Sequence, residues 1–119
     1  MTDTNTIVHR YIDMWNETDD ARRRELVAQT VTEDATYLDP LMAGDGVDGI
    51  AAMIAGAQQQ FPGHRFTLEH GPDAHHDRVR FGWVLAPDGG APVAHGVDFV
   101  TLAEDGRMRT ITGFLEPAA

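Results

Sequence analysis

Pro62-Gly63 divides this 119-residue chain into two halves whose hydrophobic periods belong to different kinds of structure. Before it, apolar residues recur three and four apart, the spacing of a helix face. After it, they fall in short runs separated by Gly71-Pro72-Asp73, Pro87-Asp88-Gly89-Gly90 and Glu104-Asp105-Gly106, spacings that suit consecutive antiparallel hairpins. A chain of this size supports one core and no more. The two textures together predict a single α+β domain over 1–119, with helices on the concave side of a curved antiparallel sheet.

Ile7, Val8, Tyr11, Met14 and Trp15 predict a helix over Thr6–Asn16, with Thr4 or Asn5 as its cap. Thr18 or Asp19 caps a second helix running to about Gln29, whose inner face is thin: Ala21, Leu26 and Val27. Ala35–Asp39 is a short strand ended by Pro40, and alternation places Ala35, Tyr37 and Asp39 on one side. Val47, Ile50, Ala51, Ile54, Ala57 and Phe61 predict a third helix capped by Asp48 and closed by Pro62-Gly63. The later strands are expected at Phe66–His70, Val79–Leu85, Val93–Leu102 and Met108–Leu115.

Composition removes several chemistries. Nine basic against nineteen acidic residues leave a formal charge of −10, which phosphate backbones would repel, so nucleic acid is not an expected partner. All nine basic residues are arginine, which excludes a Schiff-base lysine; cysteine and serine are absent, which excludes thiol nucleophiles, disulfides and a serine triad. The polar stretch Met1–Thr6 is followed by no apolar leader segment, and no run approaches a membrane span, so a cytoplasmic protein without membrane contact is expected.

Three polar groups sit where apolar side chains are the rule: Tyr11 on the buried stripe of the first helix, Asp39 at a strand end, and Asp98 within an apolar strand. A polar group in such a place needs a partner or a change of protonation, so three that converge mark a site. Asp98 shares one strand face with Ala94, Gly96, Val100 and Leu102, and the opposite face, with Val97 and Phe99, is an equally good candidate for burial. His95 lies on the face opposite Asp98 and reads as a structural or surface residue. Trp15, Phe61, Phe81 and Trp83 are the expected apolar lining of a ligand pocket; for Trp83, with Phe81 and Leu85, core packing fits the pattern as well.

The order helix, helix, short strand ending in Asp-Pro, helix, long strands resembles the cone-shaped fold of nuclear transport factor 2 (the NTF2-like fold) and of the SnoaL-like polyketide cyclases, over roughly Ile7 to Pro117. Within that superfamily, His9-Arg10-Tyr11-Ile12, Tyr37-Leu38-Asp39-Pro40 and Gly96-Val97-Asp98-Phe99 most resemble ketosteroid isomerase. The resemblance implies a cofactor-independent isomerase-like or cyclase-like enzyme acting on a small apolar carbonyl compound. Asp39 would be the general base, and the Tyr11 hydroxyl with a protonated Asp98 would hold the enolate oxygen. It also implies a homodimer formed through the outer sheet face. Two other readings sit within the same resemblance: hydration chemistry of the epoxide hydrolase or dehydratase kind, which an arginine between the acids would favour, Arg80 and Arg109 being the candidates, and a non-catalytic ligand-binding or dimerisation module.

Two other motifs carry less. Gly44–Gly49 fits the spacing of a dinucleotide loop, but Asp45 and Asp48 would face the pyrophosphate and no parallel βαβ units follow. Six histidines invite a metal, yet His75-His76 are adjacent and would point apart on a strand, and no His-Glu-x-x-His spacing occurs. No metal is expected, and His75-His76 are assigned to an exposed hairpin end.

Overall fold

The structure, a computed structural model, describes residues 3–116. Three helices, α1 (Thr4–Asn16), α2 (Asp20–Thr30) and α3 (Gly46–Gln60), pack against one six-stranded sheet. Its strands are β1 (Val31–Leu38), β2 (Ala43–Asp45), β3 (His64–His75), β4 (Arg78–Pro87), β5 (Ala94–Leu102) and β6 (Met108–Glu116). They lie in the order β2-β1-β6-β5-β4-β3, so the curved sheet stays open, with β2 and β3 at its edges. Among the described residues no helix is long and apolar enough to cross a membrane.

The sheet is mixed, where a wholly antiparallel one was expected. The hairpins from β3 to β6 are antiparallel, but β1 runs parallel to β6, with Tyr37 beside Ile111 and Leu38 beside Thr112. Short turns dictate the direction of sequence neighbours. Nothing local dictates the direction of two strands separated by a helix and three hairpins. β1 also starts four residues earlier than expected; its register shifts between Val31 and Thr36, so Glu33 and Asp34 are both exposed before Ala35 and Tyr37 turn inward. Such an irregularity hides a strand's first half from a test of strict alternation.

Gly71-Pro72 does not end β3. The strand continues through it with two register shifts to a tight turn at His76-Asp77, and Gly71, at φ 88°, passes so near β4 that an added Cβ would lie 3.1 Å from the Arg80 carbonyl oxygen. The histidine pair does lie at the exposed hairpin end, His76 with a positive φ of 52°. The edge of β3 is closed by Asn16: its amide donates to the Phe66 carbonyl at 2.8 Å and its oxygen accepts from the Phe66 N–H at 2.8 Å, substituting for a neighbouring strand.

The helix caps differ from expectation in two of three cases. Asp3 caps α1, accepting from the Thr6 N–H at 3.0 Å. Asp19 caps α2, as one of the two candidates. For α3 the cap residue is Asp45, with no side-chain cap bond, while Asp48 sits in the first turn and pairs with Arg24 at 2.7 Å. The inner face of α2 contains Arg23 instead of Ala21, which is exposed. Buried Arg23 donates to the Glu17 and Thr18 carbonyls, to Asp20 and to the Gln58 amide oxygen, so every part of its guanidinium fork has a partner.

Candidate functional site

Helices and sheet do not close completely on each other. Between α1, the end of α3 and the concave face lies a cavity of about 80 Å³, and Tyr11, Asp39 and Asp98 all line it. Each arrives by a different route. Tyr11 is on the sheet-facing stripe of α1. Asp39 follows the last residue of β1 on the inward side set by Ala35 and Tyr37. Asp98 is on the inward face of β5, with Gly96 and Val100 as buried neighbours and Phe99 exposed, so of the two candidate faces the small apolar one is buried.

Asp98 is 2% exposed and its two oxygens are each held by a donor. The Tyr11 hydroxyl donates to Oδ2 at 2.7 Å, and the Trp83 indole N–H donates to Oδ1 at 3.1 Å. Trp83 reaches it because Gly96, its direct neighbour across β4 and β5, has no side chain; an added Cβ there would lie 2.1 Å from the indole ring. Burial raises the Asp98 carboxyl to about 6, against the pull of the two donors and with a further push from the Asp39 charge. Burial likewise pushes the Tyr11 hydroxyl well above its ordinary value, helped by Asp98, so it remains a donor.

Asp39 has the opposite setting. It is half-buried, and its Oδ1 accepts from the backbone N–H groups of Leu41 and Met42 at 2.7 and 2.9 Å. Its Oδ2 accepts from the Tyr37 hydroxyl at 2.5 Å. A carboxylate offers about four acceptor positions; three are occupied, which leaves one on Oδ2. Tyr37 is held as a phenol by burial and by both acids, its ionisation displaced far upward. The two acids meet over Gly113 of β6. A Cβ there would lie 3.0 Å from Asp39 Cβ, 3.0 Å from Asp98 Oδ1 and 3.4 Å from Tyr37 Oη. Glycine allows both carboxyls to rest on one stretch of backbone.

The aromatic lining divides. Trp15, Phe61 and Trp83 line the cavity, joined by Phe66 and Tyr37. Phe81 does not: it lies opposite Asp98 on β4, wholly buried, and packs edge-on against Tyr11 with ring centres 5.4 Å apart. Its role is to back the tyrosine, because the Tyr11 ring stands in front of it. Sequence reasoning missed Tyr37 and Gly113. Tyr37 was legible in principle, two residues before Asp39 on the same strand face; Gly113 became visible only with the register of β5 and β6. His95 lies on the outer face and pairs with Glu69 at 3.2 Å. Arg80 pairs with Asp73 on the surface, and Arg109 is exposed beside a different hollow, near Asp34; neither lines the cavity.

A family model for the SnoaL-like domain matches residues 8–111. Among solved structures, a SnoaL-like family protein from Agrobacterium tumefaciens, provisionally named an isomerase, is 48% identical, with 98% of this chain and 99% of that chain covered and a TM-score of 0.91. A SnoaL-like protein from Jannaschia, provisionally named a polyketide cyclase, is 21% identical over 94% and 86% of the two chains, with a TM-score of 0.70. A protein of ketosteroid isomerase-like fold from Catenulispora acidiphila, solved with trimethylamine, is 16% identical over 90% and 82%, with a TM-score of 0.73. These last two likenesses concern the fold. No curated protein matches the chain.

Proposed function

The chain belongs to the SnoaL-like family, and on that footing we propose that it is a proton-transfer enzyme, isomerase-like or cyclase-like, acting without a cofactor on a small apolar carbonyl compound. One observation carries the reading: a half-buried carboxyl, a fully buried carboxyl and a buried phenol share one apolar cavity. Asp39 is the base. Its remaining acceptor position on Oδ2 takes a proton from the carbon next to the ketone and returns it to another carbon, while Tyr37 and the Leu41 and Met42 N–H groups hold the carboxylate in place.

A carboxylate removes such a proton only when the developing oxyanion is stabilised strongly. Tyr11 and Asp98 are that pair. A ligand that displaces water from the cavity raises Asp98 further above its value of about 6; the Tyr11 hydroxyl then turns from Asp98 Oδ2 to the enolate oxygen, and the protonated Oδ2 donates to the same oxygen. The isomerase name borne by the 48% identical protein is consistent with this chemistry. Hydration chemistry lacks its distinguishing feature, since Arg80 and Arg109 are elsewhere, and a purely structural role is disfavoured by the absence of an arginine partner on Asp98 among the described residues.

The test is direct. Asp39→Asn keeps the shape of the side chain and removes the base, so isomerisation of a β,γ-unsaturated ketone, followed by ultraviolet absorbance, should fall by about 10²–10⁴-fold with the fold unchanged by circular dichroism. Undiminished turnover in that variant refutes the assignment.

A further inference from the structure

Resting on the proton-transfer reading, we infer that the substrate is a single-ring or short-chain ketone and that fused polycyclic ketones are excluded. The cavity, which opens at one side, has a volume of about 80 Å³. An apolar cavity of about 150 Å³ accommodates one benzene ring, so the part of the cavity next to the acids admits about one ring only if its lining yields a little. The lining resists yielding much. Trp15, Tyr37, Phe66 and Trp83 are packed ring against ring, with centres 5.7 Å apart for Trp15 and Tyr37, 5.2 Å for Trp15 and Phe66, and 5.3 Å for Phe66 and Trp83.

No one of these rings can swing aside without displacing the next. Trp83 is further fixed by its bond to Asp98 and by the bare backbone of Gly96 beneath it. The floor is equally firm, since a Cβ at Gly113 would already lie 3.0 Å from Asp39 Cβ and 3.0 Å from Asp98 Oδ1, so no space is left there. Freedom is confined to the mouth, where Leu41, Phe61 and Leu115 are 70%, 37% and 36% exposed. A ketone must enter carbonyl first to reach Tyr11 and Asp98. The ring or chain bearing the carbonyl then fills the cavity, and only a narrow, flexible substituent passes outward at the mouth lined by Leu41, Phe61 and Leu115. A second fused ring is as wide as the first and meets the interlocked wall.

Trp15 and Trp83 report occupancy through their fluorescence. Titration with cyclohexanone, which binds without turning over, should quench saturably, whereas a saturated steroid ketone should not. Trp15→Ala, which opens the interlocked wall and leaves Trp83 as the reporter, should admit the steroid. In turnover, 3-cyclohexenone should exceed a β,γ-unsaturated steroid ketone by at least about tenfold in kcat/KM, a difference of about 1.4 kcal/mol. Saturable steroid quenching of the unaltered protein, as tight as that by cyclohexanone or tighter, overturns the inference, and so does failure of both ketones to bind. Selective binding of cyclohexanone with no turnover of cyclohexenone leaves the size restriction standing and removes the proton-transfer reading instead.

Discussion

A carboxyl sealed behind Tyr11 and Trp83 keeps its proton at a pH where one in water has lost it, and that difference acts on stability. Asp98 is raised from 3.8 to about 6. Between those values the folded chain binds more protons at this group than the unfolded chain, so its contribution makes stability fall as pH rises from about 4 through about 6, and the loss is complete roughly a unit higher. The gap corresponds to roughly 3 kcal/mol. Asp98→Asn has no proton to lose, and its amide can accept from Trp83 and donate to the Tyr11 oxygen. Urea unfolding at pH 4.5 and at pH 7.5 should therefore show the variant gaining on the unaltered protein at the higher pH; an equal difference at both would mean that Asp98 carries no such linkage. The residues of this site were half legible. Tyr11, Asp39 and Asp98 each break an apolar pattern, which any reader of the chain can see, whereas the pattern shows Tyr37 only as an inward strand aromatic and Trp83 only as core or pocket lining, with no sign that either donates to an acid.

Each group of the candidate site depends on an element that presents it. β4 and β5 are matched so that Trp83 lies across Gly96 and meets Asp98 two residues further along the same face. Gly96→Ala would force the indole ring away from an added Cβ 2.1 Å distant. The expected cost is about 1–3 kcal/mol of overpacking, together with a shifted tryptophan emission as the Asp98 bond is lost; unchanged emission and stability would show that the strand pair has slack. α1 contributes twice, Tyr11 inward from its middle and Asn16, its last residue, along the open edge of β3. The helices were legible because a 3.6-residue period survives imperfect caps: Asp3 in place of Thr4 or Asn5 changes the start of α1 but not the face it buries. Strand ends were less so. Gly71-Pro72 has the composition of a turn, yet β4 holds that segment in the sheet as an irregularity, and three further residues pair beyond it.

At the scale of the whole molecule, one face of the sheet is occupied by helices and the other is bare. Leu38, Phe99 and Phe114, 59%, 43% and 58% exposed, lie on neighbouring strands of that outer face, joined through the pairings of Thr112 with Leu38 and Phe99 and of Val97 with Phe114. We propose that this patch joins two copies of the chain, since a contiguous apolar surface on a folded domain signals association. Sedimentation velocity should give twice the chain mass for the unaltered protein and the single mass for Phe114→Glu; a monomer before substitution would refute it. The sequence by itself determined the α+β division at Pro62-Gly63, the buried faces of α1 and α3 and the three polar groups out of place, because periodicity and turn chemistry act between near neighbours. Only the tertiary structure decided that β1 runs parallel to β6, that Gly113 brings Asp39 and Asp98 together, and that Phe81 backs Tyr11 without reaching the cavity. These are contacts between segments far apart in the chain, and their geometry is set by how the whole core closes.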